Sequence, residues 1–169
     1  VFVSGSLGDA ALGLMVLEGG LSGLDETMAA RLIDRYRLPR PRVGLGLALR
    51  GVATAAADVS DGLVADLGHI CAASGVAARI DHARLPVGPE ARAAIALHQA
   101  AAPAVLTGGD DYELVFTAPP EAAGAVSAAA SRSGIAVTEI GILHDGAGVK
   151  VLAEDGRELA PPTTGYRHF

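Results

Sequence analysis

Segments that read as strands and segments that read as helices follow one another along this chain without regular alternation. That order argues against a doubly wound parallel sheet. A strand pattern over 1–4 leads through Gly5-Ser6-Leu7-Gly8-Asp9 into a helix over 9–18, which Gly19-Gly20 ends. Asp25 is placed to cap a second helix over 26–37, closed by Leu38-Pro39-Arg40-Pro41, and a third helical stretch covers 43–50. A short strand over 54–59, a helix over 62–74, a strand over 76–80 and a helix over 89–99 follow. The remainder reads as a strand over 112–117, an Ala-rich helix from Pro119-Pro120 to Ser133, and strands over 137–143 and 149–152. The pattern predicts an α+β fold, a mixed β-sheet layered with α-helices. No stretch is long and polar enough to link two domains, so the 169 residues are expected to form one.

Composition narrows the function classes. The formal net charge is −6, from 13 basic and 19 acidic residues, and the basic ones are scattered. Only Arg35, Arg37, Arg40 and Arg42 form a weak local group, so no nucleic-acid partner is expected. An acidic protein still binds a phosphorylated metabolite where metal ions bridge the like charges. The single cysteine, Cys71, excludes an intramolecular disulfide and fits a reducing, cytoplasmic compartment. No apolar run approaches the ~20 residues that span a bilayer, so no membrane association is expected. The opening Val1-Phe2-Val3-Ser4 reads as a strand already inside a fold, which predicts a piece of a longer protein.

Two acidic turns carry the chemistry. Asp58-Val59-Ser60-Asp61-Gly62 sits where a strand becomes a helix, and the helix N-terminus is expected to offer unpaired N–H groups to a phosphate. Ser60 adds a hydroxyl, and the carboxylates of Asp58 and Asp61 suit Mg²⁺ better than a bare phosphate. The same residues also fit a plain helix cap with Asp58 in a surface turn. In Gly108-Gly109-Asp110-Asp111-Tyr112-Glu113, three acids lie within four residues, which favours a nearby cation or basic group. On a strand, Asp111 and Glu113 would share one face, and Glu113 could grip an aminopyrimidine through paired hydrogen bonds. Taken by itself, that segment also reads as a solvated hairpin entry with exposed acids. The histidines, His69 among them, show no metal-ligand spacing and read as surface or cap residues. The tail Gly165-Tyr166-Arg167-His168-Phe169 concentrates aromatic residues, suited to stack on a flat ring or to anchor the chain end.

Taken together, these motifs resemble the thiamine-monophosphate kinases. The likeness runs from Val3-Ser4-Gly5-Ser6-Leu7-Gly8-Asp9-Ala10 through both acidic turns and Asp66-Leu67-Gly68-His69-Ile70 to the aromatic tail. It implies a fold like the C-terminal domain of aminoimidazole-ribonucleotide synthetase, within a two-domain homodimeric kinase. The implied reaction is in-line transfer of the ATP γ-phosphate to thiamine phosphate, with Mg²⁺ and no covalent phosphate carrier. Carried over residue by residue, Asp58 and Asp61 would be Mg²⁺ ligands, Ser60 would contact ATP, and Glu113 and Tyr166 would bind the substrate. The family's N-terminal domain, with further metal-binding acids and much of the nucleotide site, is missing from this chain, which is therefore expected to be inactive or weakly active alone. Another ATP-dependent member of the same superfamily, or a non-catalytic binding or dimerisation module, are the alternatives.

Overall fold

The structure, a computed structural model, describes residues 1–160. The elements run β1 (Phe2–Ser4), α1 (Asp9–Leu17), α2 (Glu26–Arg37), α3 (Val43–Ala48), β2 (Ala55–Asp58), α4 (Leu63–Ser74) and β3 (Val76–Asp81). They continue with α5 (Pro89–Leu97), α6 (Ala104–Thr107), β4 (Leu114–Thr117), α7 (Ala123–Ser133), β5 (Val137–Glu139), β6 (Gly141–Asp145), β7 (Gly148–Leu152) and β8 (Glu158–Leu159). The α+β class holds, with two sheets where one was expected. The first has the order β2-β4-β1-β5 and is antiparallel throughout. The second, β6-β3-β7-β8, is the mixed one, because β3 and β7 run parallel.

The chain passes between the sheets at Ile140, inside what the sequence predicts to be one strand over 137–143. Val137, Thr138 and Glu139 pair with β1, whereas Gly141 onward pairs with β3. The Ile140 amide donates to Val1 O, and its carbonyl accepts from the Asp81 amide at 2.8 Å, so one residue bonds to both sheets. A Cβ on Gly141 would lie 2.0 Å from Arg79 O, and only glycine allows that approach. Ile140 is fully buried and anchors the crossing.

Strand β4 is covered on both faces. Val115 joins a core with Val3, Leu63, Leu67, Ile80 and Val151, which fills the space between the sheets and α4. Phe116 points the other way, into a second core with Leu45, Leu49, Val126 and Ala129 under α3 and α7. Its ring stacks on Phe2 with centroids 5.4 Å apart. The local signals at α2 behave as predicted: the Asp25 carboxylate accepts from Thr27 N at 2.9 Å and Met28 N at 3.3 Å.

One predicted element changes in a way that matters for the site. The strand expected over 112–117 begins only at Leu114. Ahead of it Asp110 (φ 66) and Tyr112 (φ 50) adopt the left-handed conformation, so Asp111 and Glu113 do not share a strand face.

Candidate functional site

The two acidic turns are locked together by their backbones. Asp110 N donates to Ser60 O at 3.0 Å, Tyr112 N to Val59 O at 2.9 Å, and Val59 N to Glu113 O at 2.8 Å. A Cβ on Gly109 would sit 2.3 Å from Ser60 O, so the glycine lets one turn rest directly on the other. Behind them, a Cβ on Gly62 would come within 2.8 Å of the Thr107 backbone, which seats the start of α4 against the end of α6.

A cleft of about 490 Å³ opens at this junction, with Ser60, Asp61, Asp110, Tyr112, Tyr36 and Leu14 on its walls. A neighbouring cavity of about 230 Å³ has Asp58, Arg42, Val43, Leu114 and the same Tyr112 on its walls. Tyr112 thus lines both spaces, with Ser60, Asp61 and Asp110 on the walls of one and Asp58 on the wall of the other. The charge of Asp110 raises its phenol pKa, with burial, a hydrogen bond to Asp110 and the charges of Asp58 and Asp61 adding to that. This concentration of carboxylate oxygen is the donor chemistry of a hard divalent cation.

The start of α4 works differently from the expectation. Asp66 is buried, and its Oδ2 accepts from Ser60 N and Asp61 N, each at 3.0 Å. Those two amides therefore serve the turn itself and are not available to a phosphate. Burial raises the Asp66 pKa; the two amides lower it, and the charges of Asp61 and Asp58 raise it again. His69, one helical turn further along α4, closes a second grouping: a ligand atom from each of Asp61, Asp66 and His69 lies within 4.8 Å of the others. The sequence left Asp66 without a role and His69 without metal-ligand spacing. Their i, i+3 separation was the signal that could have joined them.

Glu113 occupies a place the sequence did not foresee. It is fully buried and lies on the wall of neither cavity. Oε1 accepts from Arg35 Nη2 at 3.1 Å and Arg42 Nη2 at 2.5 Å. Oε2 accepts from Ser4 Oγ at 2.5 Å and Arg42 Nε at 2.7 Å. Four donors fill the lone-pair sites of a carboxylate, leaving no edge for an aminopyrimidine. A Cβ on Gly5 would fall 2.1 Å from Oε1, so this hub shapes the β1–α1 turn as well. Arg35 and Arg42 belong to the weak local group of basic residues picked out in the sequence.

Asp111 is buried too, bonded to Gly8 N at 2.6 Å and Ala10 N at 3.0 Å at the start of α1. Burial pushes its carboxyl up to about 7, against the pull of those two amides. Asp9 accepts from the Ser6 hydroxyl and lies 3.8 Å from Arg35 Nε, while its Oδ1 and Arg35 Nη1 are buried without a hydrogen-bond partner among the described residues. Tyr166 lies outside the described residues.

Residues 1–154 match the family model of the AIR synthase related protein, C-terminal domain. Thiamine-monophosphate kinase of Caulobacter vibrioides is 42% identical over 171 residues, covering 99% of this chain and 47% of that protein. The crystal structure of thiamine-monophosphate kinase from Stenotrophomonas maltophilia K279a superposes with a TM-score of 0.82 at 43% identity, over 94% of this chain and 50% of that one. AaThiL complexed with AMPPCP and TMP superposes with a TM-score of 0.81 at 33% identity, over 99% of this chain and 50% of that one. The chain spans about half the length of the relatives it matches. With its two-sheet fold and the family model spanning both acidic turns, the chain belongs to the AIR synthase related protein family and carries that family's C-terminal domain.

Proposed function

We propose that this chain is the C-terminal half of a two-domain, ATP-dependent thiamine-phosphate kinase that works with Mg²⁺ as a cytoplasmic homodimer. The observation that carries the reading is the interlock of the two turns, through which Ser60, Asp61 and Asp110 face one cleft and Asp58 the cavity beside it. The relatives at about 40% identity act as the kinases their names state, and one similar structure is complexed with AMPPCP and TMP. No helix among the described residues is long and apolar enough to cross a membrane.

Within that reading Asp58 and Asp61 hold the divalent cation, and the oxygen-rich donor set around Tyr112 fits one. The ion supplies charge neutralisation for the two phosphates that must approach each other. Ser60 donates its hydroxyl to an ATP phosphate oxygen. Its turn is held rigid by Asp66, which keeps the donor aimed without reorganisation during transfer. Asp110 faces the cleft, and we assign to it the acidic contact with the substrate that the family resemblance implied for Glu113; Glu113 instead holds the walls in place. Tyr166 remains our candidate for the aromatic substrate contact.

The test is to incubate the full-length protein that carries this chain with ATP, Mg²⁺ and thiamine phosphate, and to follow ADP and thiamine diphosphate. Stoichiometric formation of both is expected, and their absence in a folded protein would overturn the reading. Sedimentation of the same sample checks the dimer.

A further inference from the structure

The cavity beside Asp58 has a cation on its wall, and that cation is fixed from behind. Arg42 presents Nε and Nη2 side-on to Glu113 at 2.7 and 2.5 Å. Glu113 cannot follow a ligand, because it is fully buried and also holds Ser4 and Arg35. A guanidinium has five N–H donors, and the side-on pair uses two of them. What remains is the far edge: the two hydrogens of Nη1 and the second hydrogen of Nη2. That edge is a planar fork of the kind that matches phosphate oxygens. The Arg42 side chain keeps 15% of its surface exposed, and it lines the cavity with Asp58, Tyr112, Val43 and Leu114. Nη1 makes no hydrogen bond among the described residues.

We propose that Arg42 is a specificity-determining residue, held edge-on by Glu113 so that its free fork receives a phosphate group of a ligand bound beside Asp58. The proposal rests on the kinase reading for the identity of the ligand, since thiamine phosphate and ATP both carry that group. Glu113 is then a positioning residue. It sets the plane of the guanidinium before the ligand arrives, so little side-chain freedom is lost on binding.

The experiment uses the full-length protein. KM and kcat are measured for thiamine phosphate and for ATP in the wild type, in Arg42→Ala and in Arg42→Lys. The Lys variant keeps a positive charge against Glu113 and guards against loss of folding, but a single ammonium cannot serve Glu113 and the ligand together. The loss of a charge-assisted phosphate contact is expected to raise KM about ten- to a hundredfold. A rise confined to thiamine phosphate identifies the acceptor phosphate, and a rise confined to ATP identifies the nucleotide. Binding of unphosphorylated thiamine should be unchanged in either case. Wild-type turnover with both KM values within twofold in folded variants overturns this inference and leaves the kinase reading standing, whereas a wild type without turnover overturns that reading instead. A second readout needs neither variant nor turnover: the guanidinium ¹⁵N signals of Arg42 should shift when inorganic phosphate is added to the wild type. Signals that stay in place through saturating phosphate would refute the proposal.

Discussion

Glu113→Gln separates a structural hub from a ligand contact. The change keeps the side-chain volume, removes one charge and turns one of the two acceptors into an N–H₂ donor. That donor must then face either Arg35 and Arg42 or Ser4 and Arg42, all of which donate to Glu113 now. Arg35 and Arg42 are only 12% and 15% exposed, so water cannot readily replace the lost partner. Breaking a buried pair by removing one charge costs about 3–5 kcal/mol, out of a typical total stability of about 5–15 kcal/mol. A residue kept free to touch substrate would instead cost within about 0.5 kcal/mol. The two cases differ severalfold, well beyond the error of a urea titration followed by circular dichroism without ligand. A midpoint falling by about 1.5–3 M is expected for a slope of ~1.5–2 kcal/mol/M. A loss below about 1 kcal/mol would refute the hub.

Three further outcomes follow from the same geometry. Asp66→Ala strands the amides of Ser60 and Asp61; a loss of about 1–2 kcal/mol is expected in the same titration, and an unchanged midpoint would remove Asp66 from the turn. Gly109→Ala forces a Cβ onto Ser60 O, and the strain should lower stability by about 1–3 kcal/mol while weakening nucleotide binding, as calorimetry would report. Asp111 has a folded pKa raised to about 7 by burial, above the ordinary carboxyl value, so the native state holds its proton at pH values where the unfolded chain has released it. Stability should therefore fall as pH rises from about 4 to about 7 and level off above, with the burial-raised Asp9 and Asp66 adding in the same sense. The slope measured by thermal melts should be shallower in Asp111→Asn, and an equal slope would contradict the raised pKa.

What the sequence revealed depended on how local the governing physics was. The cap of α2 was legible because Asp25 acts on amides two and three residues away. Both acidic turns were legible as motifs, since Asp58, Ser60 and Asp61 stand at a strand–helix junction whatever the fold. The strand over 137–143 was misread because its apolar pattern continues through Ile140, and nothing local says that Gly141 must rest on Arg79. The role of Asp66 was hidden because helical periodicity cannot see a buried carboxylate reaching back to two amides. Glu113 was the larger miss. Its partners Ser4, Arg35 and Arg42 lie 109, 78 and 71 residues away, so only the assembled fold shows that its lone pairs are filled. The left-handed turns at Asp110 and Tyr112 compound this, since they send neighbouring acids to different places.

In the proposed function, the interlocked turns take nucleotide together with a divalent cation. The direct measurement is a calorimetric titration of the full-length protein with a non-hydrolysable ATP analogue, with and without Mg²⁺, comparing the wild type with Asp61→Asn. Tight binding is expected only when Mg²⁺ is present, with loss of that enhancement in the variant. Equal affinity with and without the ion, or a variant that keeps the full Mg²⁺ effect, would contradict it.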